Sequence, residues 1–232
     1  MSGTTANGRG SFKAAWAELL ANRRLRIEFL LTVLCFVITV KELSTFLEYV
    51  EARPGVHVPD PVLELFPAVD VTWYTFVLIY SGLMIALVYF SRQPRRLVTG
   101  MQTYVILALF RMGAMFFLAL EPPTTMIALK DPFVEYFVGT DAVLTKDLFF
   151  SGHTSTMFLL ALFSTDRRLR IFLLIATVLV AACVLIQHVH YTVDVLAAPF
   201  FAYGAYRVAI LTRSMFITSS HTSQRGLHGM DR

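Results

Sequence analysis

Asp147-Leu148-Phe149-Phe150-Ser151-Gly152-His153-Thr154 and His188-Val189-His190-Tyr191-Thr192-Val193-Asp194-Val195 are two short polar islands at the ends of one hydrophobic helical hairpin. The hairpin turns at Asp166-Arg167-Arg168-Leu169-Arg170. Its two apolar arms, Phe149 to about Ser164 and Ile171 to about Gln187, read as antiparallel helices. Histidines and acids are costly beside lipid, so polar groups at the ends of apolar runs mark a functional site by default.

The rest of the chain has the same character. Of 232 residues, 56% are hydrophobic and 16% charged, and the mean hydropathy is +0.62. Such values exclude an ordinary soluble domain and point to an integral membrane protein. Twenty Phe and nine Tyr suit lipid contact and interfacial belts. The net charge of +4 is modest, and nothing suggests a nucleic-acid partner. Cys35 and Cys183 lie within apolar runs and read as small core residues. The polar first 26 residues, with no small-residue cleavage site after the first apolar run, do not resemble a cleavable signal peptide.

Working outward from the hairpin, four more apolar segments complete a set of six. They run from Ile27 to about Leu47, Trp73 to Phe90, Leu97 to Leu120, and Val195 to about Leu211. Each approaches the ~20 residues that cross ~30 Å of hydrocarbon, and helices satisfy their own backbone groups there. The fold expected is therefore all-α, with six transmembrane helices over 27–211. Residues 1–11 are Gly/Ser/Thr/Asn-rich and expected to be disordered. Residues 12–26 read either as a short amphipathic surface helix or as the basic flank of the first span. Residues 212–232 read as a polar tail.

Lys and Arg cluster in the N-terminal segment, at Arg92–Arg96 and at Arg167–Arg170, whereas the loops at 48–72 and 121–147 are acidic. With six spans, all the basic segments fall on one side. The positive-inside rule makes that side cytoplasmic, with both termini, and puts both islands on the non-cytoplasmic face.

His153 begins one helix of the hairpin and His190 ends the other, so the two can face one another. Asp194 is four residues from His190 and can share its helical face, where a carboxylate orients an imidazole and stabilises its cation. Two imidazoles and one carboxylate suit phosphoryl transfer, one His attacking phosphorus and the other protonating the leaving oxygen. Gly152 permits close backbone approach, and amides over Ser151 to Thr154 open a helix, where anions bind. Arg111 lies inside a span and needs a partner or a polar cavity. A metal site of His188, His190 and Asp194 is a rival reading, although residues two apart on a helix point to different sides. Interfacial histidines without a function are a third.

The islands also resemble a known family. Ser151-Gly152-His153 and His190-x-x-x-Asp194 are similar to signatures of the type 2 phosphatidic acid phosphatase superfamily. The likeness is closer to its sphingomyelin synthase branch, whose Asp-x-x-x-Ser-Gly-His-Thr is matched by Asp147, Ser151, Gly152, His153 and Thr154. Its His-Tyr-Thr-x-Asp-Val is matched by His190, Tyr191, Thr192, Asp194 and Val195. Paired arginines stand at Arg95 and Arg96. A Tyr-Arg-x-x-x-Met-x-x-x-Thr motif is met by Phe110, Arg111, Met115 and Ala119. Pro59-Asp60 echoes a further Pro-Asp motif. The phosphatase branch has an Arg six residues before its second His, where this chain has Val184, and its Lys…Arg-Pro pair is absent.

The resemblance implies an enzyme, a headgroup transferase without a cofactor or metal. His190, oriented by Asp194, would attack the phosphorus of a phosphatidylcholine or phosphatidylethanolamine donor. His153 would protonate the departing diacylglycerol and then activate the hydroxyl of ceramide or a related lipid. Arg111, Ser151, Gly152 and Thr154 would handle phosphate, and Asp147 and Tyr191 would contact substrate. Tyr136 and Phe150 are further candidates for a cationic headgroup. The alternative is a lipid phosphatase or phospholipase C-type hydrolase on the same site.

Overall fold

The computed structural model describes residues 5–130 and 144–228, with side chains for 12–130 and 144–213. Helix α1 (Thr5–Ala21) is separated by Asn22 from α2 (Arg23–Ala52). A single 3-10 turn at Leu63–Leu65 precedes α3 (Thr72–Ser91), and α4 (Pro94–Phe117) follows a tight turn. The hairpin is α5 (Gly152–Phe163) and α6 (Arg167–Ile186), and α7 (Thr192–His228) ends the described chain. Among the described residues there is no β-strand, only an isolated bridge between Val56 and Leu120.

Local chemistry sets these boundaries. The Asn22 side chain accepts from the N–H groups of Arg24 and Leu25, at 3.0 and 3.3 Å, and starts α2. Pro94 occupies the first turn of α4, where its missing N–H costs nothing. Asp166 caps α6 by accepting from Leu169 N at 2.8 Å. Arg53 donates to the carbonyls of Met115 and Phe116 at 2.6 and 2.9 Å, supplying partners for the open end of α4.

Among the described residues, five helices are long and apolar enough to cross a membrane: α2, α3, α4, α6 and the Thr192–Arg213 part of α7. The chain is on these grounds an integral membrane protein. The fourth expected span, Phe149 to about Ser164, differs. α5 has 12 residues, about 18 Å at 1.5 Å per residue, too short to cross alone. It is instead packed inside the molecule, touching α3, α4, α6 and α7. Thr154, Ser155, Met157, Leu159, Ala161 and Phe163 are all buried. Protein surroundings supply the hydrogen-bond partners that the irregular chain before Gly152 needs.

The ends of the chain also depart from expectation. Helix begins at Thr5, so residues 5–11 are helical where disorder was expected. α1 is a separate helix with Leu19 buried; Trp16 Nε1 donates to Ser91 O at 2.8 Å and Glu18 pairs with Arg95. α7 runs past Leu211 to His228, with no Pro or Gly between Leu211 and Gly226. Residues 1–4 and 229–232 lie outside the described residues. Cys35 is exposed on α2 rather than buried.

The molecule has two chemically different ends. At one, the Arg-rich turns gather: Arg96 and Arg170 donate to the carbonyls of Phe163 and Ser164, and Arg213 bonds Thr99 and approaches Glu28. At the other, the acidic loops knit together. Val56 bonds Ala119 and Glu121, Val69 N donates to Ile186 O, and Ile127 N to Gln187 O. Both islands lie at this second end.

Candidate functional site

The two islands meet. Ser151 N–H donates to the Asp194 carbonyl at 3.1 Å, joining the start of α5 to the first turn of α7. Ser151 is the N-cap of α5: its Oγ accepts from Thr154 N at 3.4 Å and bonds Thr154 Oγ1 at 3.1 Å. Phe150, fully buried, stacks on Phe201 of α7 with centroids 4.3 Å apart and planes within 11°. That anchor keeps 147–151 out of helix and against α7.

His190 is 2% exposed and Asp194 fully buried. Asp194 Oδ2 lies 3.4 Å from His190 Nδ1 and accepts from Tyr191 N at 3.1 Å. Tyr191 occupies the N-cap position of α7, and Asp194 reaches back to its N–H as the third residue of a capping box does. One carboxylate oxygen thus starts the helix and orients the histidine ring. Its other oxygen, Oδ1, is buried with no hydrogen-bond partner among the described residues. An imidazole held through Nδ1 presents Nε2 for chemistry.

His153 is the second residue of α5, half-buried and edge-on to Phe76 of α3, with centroids 6.2 Å apart. Arg111 of α4 is 8% exposed. It pairs with Asp147 and donates from Nε to Phe150 O at 3.3 Å. Burial would raise the Asp147 carboxyl, but the Arg111 guanidinium outweighs it, with smaller contributions from His190 and His153, and holds it below the usual carboxylate range. Gly152 leaves room for Arg111: a Cβ there would sit 2.1 Å from Arg111 Nη1, so the guanidinium would have to move.

The structure therefore brings Arg111, Asp147, Gly152, His153, His190 and Asp194 together, with Ser151 and Thr154 as the cap beneath them. It pairs Arg111 with Asp147, two residues the sequence treated separately. An Arg already balanced by a carboxylate offers phosphate less net charge, and an Asp balanced by Arg is a weaker partner for a cationic headgroup. Tyr191 is elsewhere engaged. Its hydroxyl donates to Glu121 O at 2.9 Å and accepts from Val58 N at 3.3 Å. Burial and neighbouring carboxylates raise its pKa, which keeps it a donor. Its position is that of a loop clamp. Tyr136 lies outside the described residues.

His188 does not join His190 and Asp194 as a third metal ligand. It adopts φ 55°, bonds Thr125 Oγ1 through Nδ1 at 2.5 Å and stands edge-on to Phe66. Among the described residues, no group of three or more His, Cys, Asp or Glu side chains is arranged to hold a metal ion.

Two polar hubs escaped sequence reading. Glu51 at the end of α2 accepts from Thr145 N, Thr145 Oγ1 and Lys146 N at 2.5–2.9 Å, and Lys146 pairs with Glu121 at 2.9 Å. Together they fix the approach to Asp147. Gln187, fully buried, accepts from Val71 N at 3.2 Å and donates to Thr72 Oγ1 and Ile127 O at 2.9 and 3.2 Å. Neither hub has a local motif, because every partner is distant in sequence.

Residues 146–211 match the family described as PAP2 superfamily C-terminal. The matched segment begins beside Asp147 and contains both islands. The match supports similarity to the type 2 phosphatidic acid phosphatase superfamily, and with it an enzyme of phosphatase or phosphotransferase type acting on membrane lipids. No curated protein and no solved structure matches the chain.

Proposed function

We propose that this protein is a lipid phosphotransferase of sphingomyelin synthase type. It moves phosphocholine or phosphoethanolamine from a glycerophospholipid to ceramide or a related lipid alcohol. The observation that carries the reading is the buried His190–Asp194 pair bonded through Ser151 to the helix that bears His153.

Asp194 holds His190 Nδ1–H, and His190 Nε2 attacks the donor phosphorus. The P–O bond to diacylglycerol breaks, and protonated His153 gives its proton to that oxygen. The product is a phosphohistidine carrying the headgroup. His153, now neutral, takes the proton of the acceptor's primary hydroxyl. The acceptor oxygen attacks phosphorus, the P–N bond breaks, and His190 is regenerated while His153 is again protonated. The first amides of α5 balance phosphate charge without reorganising, and Arg111, already paired with Asp147, contributes a smaller share. The Arg-rich end, with both termini, is cytoplasmic, and the site faces the other side.

A second reading is hydrolysis, with water as acceptor. The superfamily similarity favours it at the coarse level. Val184 favours transfer: where the phosphatase branch carries an Arg, this chain has a fully buried apolar side chain within its core, so that phosphate clamp has no counterpart.

The scheme is tested by trapping the intermediate. Protein in detergent, given headgroup-labelled phosphatidylcholine and no acceptor, accumulates acid-labile label on His190. His153→Ala lowers turnover by roughly 10²–10⁴-fold. Full transfer activity in His190→Ala contradicts the scheme.

A further inference from the structure

We propose that Asp60 is a positioning residue for the catalytic turn, acting through Thr192 as the missing cap of α7; this rests on the reading of His190 as the nucleophile. A helix leaves its first N–H groups without partners. Most helices meet this with Ser, Thr, Asp or Asn at the N-cap, but α7 has Tyr191 there. The Tyr191 hydroxyl is directed away, to Glu121 and Val58. The acceptor is supplied from another part of the chain. Asp60 Oδ2 accepts from Thr192 N at 2.6 Å, and Oδ1 accepts from Thr192 Oγ1 at 3.0 Å. A carboxylate is also the charge that a helix N-terminus favours.

The same carboxylate holds its own loop in shape, accepting from Val62 N and Leu63 N at 3.1 and 3.4 Å. Leu63, in turn, packs with Leu148 of the first island and Tyr191 of the second. The 60–63 loop thus touches the chain beside Asp147 and the chain between His190 and Asp194. Thr192 lies two residues after His190 and two before Asp194. A shift of the helix start moves both members of the pair, whose 3.4 Å contact has little margin. Among the described residues, no hydrogen bond joins Asp60 to either.

Displacements near 1 Å at a reacting group cost about 10²-fold in rate. In Asp60→Ala, kcat per folded protein therefore falls about 10²-fold while KM for phosphatidylcholine is unchanged. Asp60→Asn restores only part of the rate: one oxygen still accepts from Thr192 N, but its amide then faces the N–H groups of Val62 and Leu63. Amide hydrogen exchange provides a reading that needs no turnover: residues 191–195 exchange faster in Asp60→Ala, while α3 and α6 keep wild-type protection. Should Asp60→Ala fail to fold, Thr192→Val removes one of the two contacts and gives a smaller loss of the same kind. Wild-type kcat in Asp60→Ala or wild-type exchange over 191–195 overturns the proposal. A wild-type protein that turns over no lipid overturns the transferase reading instead, and the exchange result then decides the tether by itself.

Discussion

At the scale of single residues, the site depends on one close approach and one ion pair. Gly152 gives Arg111 the room to lie against the start of α5. Gly152→Ala forces the guanidinium off Asp147 and Phe150 O. We expect a loss of about 1–3 kcal/mol of stability, the usual cost of overpacking, together with loss of turnover. Wild-type activity and unfolding midpoint in Gly152→Ala would contradict the packing described. The Arg111–Asp147 pair also predicts a pH dependence. The folded Asp147 carboxyl is depressed, so its contribution is present in full above the ordinary carboxylate value of about 4. It is lost as pH falls through the lower folded-state value. Unfolding midpoints measured downward from pH 7 should fall for the wild type and stay flatter for Asp147→Asn; parallel curves would show that the pair contributes nothing.

At the scale of elements, much was legible and some was not. The apolar runs were read from Ile27, Leu97 and Ile171, whereas the structure begins those helices at Arg23, Pro94 and Arg167, where Asn22, Pro94 and Asp166 set the start by local chemistry. The same reading ran the fourth apolar segment from Phe149, but α5 starts at Gly152. Phe149 and Phe150 are apolar enough to belong to a span, yet Phe150 is spent on Phe201, a partner 51 positions away. Apolar periodicity does not distinguish a side chain buried from a loop from one buried from a helix. Long-range polar partners are illegible for the same reason. Gln187 carries no motif, yet it ties the loops at 71–72 and 127 to the end of α6 just before the second island. Gln187→Leu preserves bulk and removes these bonds, leaving buried donors and acceptors unmatched. It should cost about 2–4 kcal/mol, read by denaturant unfolding in detergent, and wild-type stability would remove Gln187 from this role.

At the scale of the whole molecule, charge segregation that was read along the chain reappears as two ends in space. The acidic loops and both polar islands share one end, and the Arg-rich turns share the other. That organisation makes a short, protein-enclosed α5 workable, since the longer helices around it meet the lipid. Its consequence is a site built where helix ends and loops converge. In the proposed scheme this site hands a headgroup from one lipid to another through His190. The most direct measurement follows labelled headgroup from phosphatidylcholine and phosphatidylethanolamine vesicles containing the purified protein, with and without ceramide, by mass spectrometry of the products. The account predicts label on ceramide, dependent on His190 and His153. Label released only as free phosphocholine or phosphoethanolamine, or transfer that survives His190→Ala, would contradict it.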